Sequence, residues 1–176
     1  MKQEKRLLVL VMVMVFFIVS CGKLNFKNEF DTYTHYQKHL KEMAEKYPAF
    51  RSLMVILSNE AYSFVADNQN LRTDSQKAQK LVDANRVFST SEFYRRLSSF
   101  DARVDAIKQK KNSLANITDP KQQAAIRSAI AEVDRALSEA LAIMKNAKPV
   151  DMESAVAEIK KADGILIEVE MDGVRR

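Results

Sequence analysis

Glycine is almost absent from this chain, and its absence limits what the chain can fold into. The 176 residues include three glycines, Gly22, Gly164 and Gly173, so that positions 23–163 form a stretch of 141 residues without one. Phosphate-cradling loops, dinucleotide-binding turns and tight primed hairpins need glycine, because the backbone there takes positive φ or approaches a ligand closely. The sequence therefore excludes nucleotide-binding loops and hairpins of these kinds from that stretch.

The first twenty residues have the pattern of a targeting segment. Lys2, Lys5 and Arg6 form a basic start, and residues 7–19 are an unbroken apolar run of thirteen, LLVLVMVMVFFIV. A transmembrane helix needs roughly 20 apolar residues, so this run is too short to span a bilayer comfortably and is typical of a signal peptide. We expect residues 1–20 to be removed as a signal peptide.

The quartet Ile18-Val19-Ser20-Cys21 resembles the lipobox of bacterial lipoprotein precursors, with an aliphatic residue three positions before the cysteine and a small residue directly before it. The resemblance implies a diacylglyceryl group on the Cys21 sulfur, cleavage between Ser20 and Cys21, and an acyl chain on the new amino terminus. One acyl chain binds a membrane only marginally, whereas two or three on one residue hold it stably. Cys21 is the only cysteine, so its use as the anchor leaves no thiol for catalysis.

The resemblance also bears on location. Gly22 follows the cysteine, where an aspartate would resemble an inner-membrane retention signal. In a host with two membranes the resemblance therefore favours the outer membrane of the cell envelope. It does not distinguish the periplasmic face of that membrane from its outer face. It covers residues 1–21 alone. Beyond it we expect a lipidated tether over residues 21–28 and one helical bundle domain over residues 29–172.

The charge balance bears on possible partners. The chain has 28 Lys and Arg against 23 Asp and Glu; the signal peptide holds three of the basic residues and one acid, which leaves 25 against 22. This is a mildly basic, mixed surface, and nucleic-acid binding usually needs a much stronger basic patch. We therefore expect no nucleic-acid partner.

Apolar side chains recur at spacings of three and four over most of the mature chain, which is the pattern of amphipathic helices. The three prolines, Pro48, Pro120 and Pro149, each fall where this pattern is interrupted. The predicted helices cover about residues 29–46, 49–65 and 75–88, then a helix capped at Ser89 that carries Phe93 to Leu114, then about residues 120–147, followed by a last helix after residue 151. The sequence thus predicts an all-α fold, a single up-and-down helical bundle of four to six helices.

Two of these helices should form an antiparallel coiled-coil-like hairpin. Ser89 and Glu92 have the spacing of a capping box for the first of them, and Asp119 with Pro120 suits the start of the second. The two apolar seams match in spacing across a short turn. They consist of Phe93, Leu97, Phe100, Val104, Ile107 and Leu114, and of Ile126, Ile130, Val133, Leu137, Leu141 and Met144.

Two segments leave alternatives open. Residues 68–75 either end a helix, with Thr73 and Gln76 capping the next, or lie inside one long helix over residues 49–88; matched helix lengths favour a break. A reversal there would put the hairpin turn at 116–120 on the tether side, and a continuous helix would put it at the far end. Residues 165–171 alternate weakly like a strand, but no partner strand is evident, which favours a helix continued past glycine.

Two patterns of histidine or acidic residues are candidates for chemistry. His35, His39 and Glu42 share one helical face at i, i+4 and i+7, where a metal or haem site is conceivable, but the chain has no third histidine. Asp101 and Asp105 form an i, i+4 carboxylate pair, as general acid–base pairs sometimes do. A solvated helix face accounts for both patterns more simply, so no metal or cofactor is predicted beyond the covalent lipid.

Basic residues gather around the hairpin turn. Arg95 and Arg96 lie near the start of the hairpin, and four lysines lie towards its turn: Lys108, Lys110, Lys111 and Lys121. Such a basic tip suits an anionic partner, such as lipopolysaccharide, teichoic acid, lipid headgroups or an acidic protein. Ordinary charged surface is the competing interpretation.

These observations predict a lipid-anchored envelope lipoprotein that acts as a non-enzymatic interaction, adaptor or structural module. Its partners would be the membrane, through the anchor, and another protein or an envelope polymer. The alternative is a helical bundle that carries haem, a metal or a hydrophobic molecule in the cell envelope. Catalytic residues usually project from loops on a rigid scaffold, and a chain with so few irregular segments offers few such loops, so we expect no enzymatic activity.

Overall fold

The fold is all-α. The computed structural model describes residues 24–66, 68–146 and 152–174, and within these ranges it contains six α-helices and no strand. The helices are α1 (Phe26–Lys46), α2 (Arg51–Val65), α3 (Asp74–Thr90), α4 (Glu92–Ala115), α5 (Pro120–Asn146) and α6 (Met152–Val174). The helical bundle expected from the sequence is confirmed. The signal peptide, the lipobox with Ser20 and Cys21, and Pro149 lie outside the described residues.

The first helix begins earlier than its apolar pattern. Asn25 has extended backbone, and its side chain caps α1 by accepting a hydrogen bond of 3.0 Å from the Lys27 amide. The helix therefore begins at Phe26, three residues before position 29. Residues 26–28 are therefore helix rather than tether. At the other end Pro48 opens a 3-10 turn, Pro48–Phe50, that leads into α2. The proline ends α1 because it lacks an N–H and restricts the residue before it.

The chain breaks between α2 and α3. A 3-10 turn, Asn68–Asn70, separates the two helices, and α3 opens with a complete capping box. The Thr73 hydroxyl accepts from the Gln76 amide at 3.2 Å, and the Gln76 side chain accepts from the Thr73 amide at 3.3 Å. The alternative of a single helix over residues 49–88 is wrong.

The capping box expected at Ser89 is also wrong. The α3 helix continues through Thr90, and the hydroxyls of Ser89 and Thr90 both donate to the Arg86 carbonyl behind them. Ser91 has extended backbone instead, and its hydroxyl accepts from the Tyr94 amide at 3.2 Å. One residue thus ends α3 and caps α4, and we call α3 and α4 together the α3–α4 spine.

The α3–α4 spine runs alongside α1 in the same direction. Four contacts, in order along α1, join Glu29 to Asn85, Tyr36 to Phe88, His39 to Tyr94 and Lys46 to Asp101. Residue numbers rise together on both sides, so the chain bends at Ser91 without reversing. The Ser58 hydroxyl donates to Gln37 at 2.7 Å, which places α2 beside the middle of α1.

This direction decides where the hairpin turn lies. Fourteen residues of α4 follow Asp101, which is paired with the last turn of α1. At 1.5 Å per residue they extend about 21 Å beyond that level. The chain reverses between α2 and α3, yet the turn after α4 lies at the end remote from the start of α1. The expectation that such a reversal puts the turn on the tether side is wrong, because it assumed a second reversal at Ser91.

The second half of the molecule is formed by α4, α5 and α6. The hairpin of α4 and α5 is antiparallel, with Lys111 Nζ 2.6 Å from Asp134 Oδ1 near its turn. Asp119 caps α5 as expected, accepting from the Lys121 amide at 2.9 Å. The closest packing is between α5 and α6, which both place alanines in the core: Ala129, Ala136, Ala140, Ala155 and Ala162. Small side chains allow two helices to approach closely.

The last helix, α6, continues through Gly164 to Val174, so residues 165–171 are helical. Both halves of the molecule share one hydrophobic core. Its largest fully buried side chains include Phe50, Phe88, Phe100, Met43, Leu97 and Met144. None of the helices in the described part of the chain combines the length and apolar character that a membrane crossing requires.

Candidate functional site

A groove lies between α4 and α6. It has a volume of about 700 Å³, within the range of ligand-binding clefts. Its lining comprises Glu92, Arg95, Arg96, Ser99, Phe100 and Arg103 from α4, and Met152, Glu153, Val156, Ala157 and Lys160 from α6. Each set recurs every three or four residues, so each is one stripe of its helix. We call this surface the α4–α6 groove.

The two helices that form the groove run parallel. Arg96 contacts Glu153 at the start of α6, and Lys110 contacts Asp163 further along both helices, at 3.1 Å in each case. The starts of α4 and α6 therefore lie at the same end of the groove. Helix N-termini carry a partial positive charge, which adds to the attraction of that end for an anion.

Basic side chains dominate the walls of the groove. Arg96 is held by two carboxylates, with Nε 3.9 Å from Glu92 Oε1 and a terminal nitrogen 3.1 Å from Glu153 Oε1. The second of these ion pairs crosses the groove from α4 to α6. Three further cations line it, Arg95, Arg103 and Lys160, all of them exposed. The groove thus presents four cations to solvent against two acids.

The floor of the groove is part of the core. Phe100 is 1% exposed and Met152 is 4% exposed, and both belong to the hydrophobic cluster beneath. A floor packed in this way fixes the backbones from which the basic side chains project. Guanidinium groups bind carboxylates and phosphates through two parallel hydrogen bonds. The lining contains one hydroxyl, from Ser99, and neither histidine nor cysteine. The arrangement is therefore suited to holding an anion.

The two histidines on α1 are brought together by their spacing but face different partners. Their rings stack at 6.4 Å, with His35 exposed and His39 half-buried. His39 Nδ1 shares a hydrogen bond of 2.6 Å with the Tyr94 hydroxyl. Glu42 is exposed and lies 3.8 Å from Lys38. In the described ranges no three or more His, Cys, Asp or Glu side chains are grouped so as to hold a metal ion. The ligand-carrying alternative stays a prediction that this geometry does not strengthen.

Most lysines of the basic tip are paired with carboxylates, which the sequence alone does not show. Three of its four lysines lie near carboxylates: Lys108 at 3.8 Å from Asp105, Lys110 at 3.1 Å from Asp163 and Lys111 at 2.6 Å from Asp134. Lys121 has no carboxylate within 4.0 Å among the residues that the structure describes. These pairs offset much of the local positive charge, and the arginines at the start of the hairpin line the groove instead.

The carboxylates of Asp101 and Asp105 have different surroundings. Asp101 accepts from Lys46 Nζ at 2.9 Å and from the Tyr47 hydroxyl at 2.7 Å. Burial alone would raise the pKa of Asp101, but the hydrogen bonds from Lys46 and Tyr47 and the charge of Lys46 outweigh it and lower that pKa. Burial and the neighbouring carboxylate raise the pKa of Tyr47. Asp105 is half exposed and 3.8 Å from Lys46. The pair is a structural ion cluster that joins α1 to α4.

Sequence reasoning did not predict the groove. It placed Arg95 and Arg96 near the start of the hairpin, and it did not single out Arg103 or Lys160. The only signal in the sequence is Arg96 and Arg103 at i, i+7 on one face of α4. Comparison with protein-family models, curated proteins and solved structures finds no match to this chain.

Proposed function

We propose that the chain is a lipid-anchored lipoprotein of the bacterial cell envelope that acts as a non-enzymatic interaction module. Cys21 carries the covalent diacylglyceryl and N-acyl lipid, and no other cofactor is involved. The outer membrane is the favoured location in a host with two membranes. The α4–α6 groove is the binding surface, and its partner is another protein or an envelope polymer. The lipobox pattern supports the anchor, and the geometry of the groove supports the binding role.

The observation that carries this proposal is the position of the groove relative to the start of α1. Helix α1 begins five residues after Cys21. His39, which contacts Tyr94 near the start of the groove, is thirteen residues further along α1, or about 20 Å. The groove continues from there towards the remote end of α4. A module anchored at Cys21 therefore holds its charged groove away from the anchor, where a partner that is not a lipid can reach it.

The anchor is tested by substitution of Cys21. In cells fed a labelled fatty acid, we expect the wild-type protein to take up the label and Cys21→Ser to take up none and to accumulate as uncleaved precursor. Gly22→Ala is the control, because it changes the next residue and keeps the thiol. A Cys21→Ser variant that is labelled and processed normally would show that the lipobox interpretation is wrong.

The interaction role is tested by recovery of partners from envelope extracts. We expect one or more components to be recovered with the wild-type protein and to be lost with an Arg95→Glu/Arg103→Glu double variant. Lys121→Glu at the hairpin tip serves as the control, since it also introduces acid on the same molecule. Recovery of no partner, together with a turnover activity of the purified protein, would overturn the proposal.

A further inference from the structure

Three surfaces of the molecule remain as candidates for a more specific role: the basic tip, the exposed histidine face of α1 and the α4–α6 groove. The tip lysines are largely paired with carboxylates. On the histidine face, His39 is already bonded to Tyr94. Of these three surfaces, the groove combines a concave shape, several cations and a floor of buried core residues.

We infer that the α4–α6 groove binds an acidic segment of a partner protein, and that Arg96 exchanges its carboxylate partner Glu153 for a carboxylate of that segment. This inference rests on the proposed role of the chain as an interaction module. It adds the chemical class of the ligand, and it identifies Glu153 as a group that competes with the ligand for Arg96. In the structure Glu153 is paired with Arg96 across the groove at 3.1 Å.

The length of the groove sets the size of the segment. From Glu92 to Arg103 it extends over eleven residues of α4, about 17 Å at 1.5 Å per residue. An extended peptide covers that distance with about five residues at 3.3 Å each. Arg96 and Arg103 are seven residues apart, or about 10 Å along the helix axis. Carboxylates two or four residues apart on an extended segment share one face and are separated by about 7 or 13 Å. These separations bracket that of the two arginines, so each carboxylate can meet one long arginine side chain.

The acids of the groove favour carboxylates over a phosphate polymer as the ligand. Glu92 and Glu153 both contact Arg96, so a carboxylate is a partner that this guanidinium already accepts in the groove. The same two acids repel a chain with a phosphate in every repeat unit more strongly than a segment with spaced carboxylates. Lipid headgroups are disfavoured as well, because the groove begins about 20 Å along α1 from its start.

The inference can be tested at Glu153, because its charge has opposite effects in the free and in the ligand-bound protein. In the free protein it pairs with Arg96 across the groove. When the ligand is bound it is a like charge beside the ligand's carboxylates. Removal of its charge should therefore strengthen ligand binding, although it removes an ion pair from the free protein. A groove in which the Arg96–Glu153 pair only supports the fold would show no such gain.

The test uses an acetylated, fluorescently labelled hexaglutamate peptide as the probe. It is titrated into the protein purified from the producing cell in nonionic detergent, at low ionic strength, and binding is followed by fluorescence anisotropy. We expect Arg103→Gln to weaken binding about fivefold and Glu153→Gln to strengthen it about threefold, the range of single partly exposed ion pairs. The differences should shrink at high salt because exposed charges are screened.

Two variants of matched charge serve as controls. Lys121→Gln removes one positive charge at the hairpin tip, as Arg103→Gln does in the groove, and Glu132→Gln removes one exposed acid from α5. Both should bind the probe like the wild-type protein. All four side chains are exposed, and circular dichroism melting curves check that each variant folds.

Three results would overturn the inference. Equal weakening by Arg103→Gln and Lys121→Gln would mean that the peptide responds only to net charge. Weaker binding by Glu153→Gln would contradict the exchange of partners at Arg96. Tighter binding of inorganic polyphosphate, with the same dependence on Arg103, would identify a phosphate polymer as the ligand class. None of these measurements depends on acylation of Cys21, so failure of the anchor proposal and failure of this inference are distinguishable.

Discussion

Lys46 at the end of α1 and Asp101 in α4 form the shortest ionic link between the two halves of the molecule, with Nζ 2.9 Å from both carboxylate oxygens. The Asp101 side chain is 13% exposed and also accepts a hydrogen bond of 2.7 Å from Tyr47. Hydrogen bonds to a charged group are stronger than those between neutral groups. This contact therefore fixes the register of α1 against α4.

Asp101→Asn should destabilise the protein. We expect the free energy of unfolding to fall by about 1 to 2 kcal/mol at neutral pH, because the variant loses the charge that accepts from Lys46 and Tyr47. Urea unfolding measures the change. Asp105→Asn is the control: its carboxylate is 52% exposed and 3.8 Å from Lys46, so its loss should cost less than about 0.5 kcal/mol. Equal losses in the two variants would contradict this account of the cluster.

The same carboxylate predicts a pH dependence. The pKa of Asp101 is lowered in the folded protein by Lys46 and Tyr47, against the effect of burial. Its contribution to stability is therefore complete above the unfolded-state pKa of about 3.9 and is lost as pH falls through the folded-state pKa. The difference in unfolding free energy between wild type and Asp101→Asn should stay constant above about pH 5 and decrease below about pH 4. A difference that stays constant in acid would contradict the lowered pKa.

Ser91→Ala should destabilise the junction of the α3–α4 spine. The Ser91 hydroxyl accepts from the Tyr94 amide at 3.2 Å, and loss of an N-cap side chain costs about 1 kcal/mol. Ser89→Ala is a matched control two residues earlier, where the hydroxyl bonds back to the Arg86 carbonyl; its effect should be within about 0.5 kcal/mol. Thermal unfolding of both variants distinguishes the two possible caps. The reverse order of effects would favour Ser89 as the cap.

Gly164→Ala should stabilise the protein. Gly164 lies inside α6, and a methyl group added there meets no atom within 4 Å. Alanine restricts the unfolded chain more than glycine does, which contributes about 0.5 to 1 kcal/mol in a helix interior. Chemical unfolding at neutral pH checks the gain. Ala157→Gly, on the exposed face of the same helix, should give a loss of similar size. A less stable Gly164→Ala variant would mean that α6 is not a regular helix at this position.

The helices and their boundaries were largely predictable, because local chemistry decides them. Pro48, the Thr73–Gln76 box and Asp119 with Pro120 each act within a few residues of themselves, and each lies where the structure changes direction or starts a helix. Ser91 was missed because Ser89 has the more regular spacing to Glu92. Geometry selects Ser91, since the hydroxyl of Ser89 is already bonded to Arg86 within α3.

The buried faces were predicted less completely. On α4, the predicted apolar seam contained Phe93, but the structure also buries Tyr94, which is 7% exposed. Tyr94 is buried because α1 packs on this side of α4 and places His39 and Tyr36 against it. On α5, Ala136 and Ala140 are buried because α6 packs closely there. Heptad patterns of large apolar residues reveal neither effect, since both depend on a third helix.

The groove could not be predicted from the sequence, because it too depends on which helices pack together. Arg96 and Glu153 are 57 positions apart, and they meet because α4 and α6 lie side by side in parallel although α5 separates them in the chain. A sequence shows which residues share a face of one helix. It does not show which of two later helices will lie against that face.

The shared direction of α1 and the α3–α4 spine has a mechanical consequence. A chain held at the start of α1 and pulled at the turn between α4 and α5 experiences tension along helices that lie side by side, so their contacts are loaded in shear. The links from Glu29–Asn85 to Lys46–Asp101 then share the load and must yield together. In an antiparallel pair pulled from one end, the contacts would open one after another. With the anchor and the partner that we propose, this bundle would be suited to bearing force between the two.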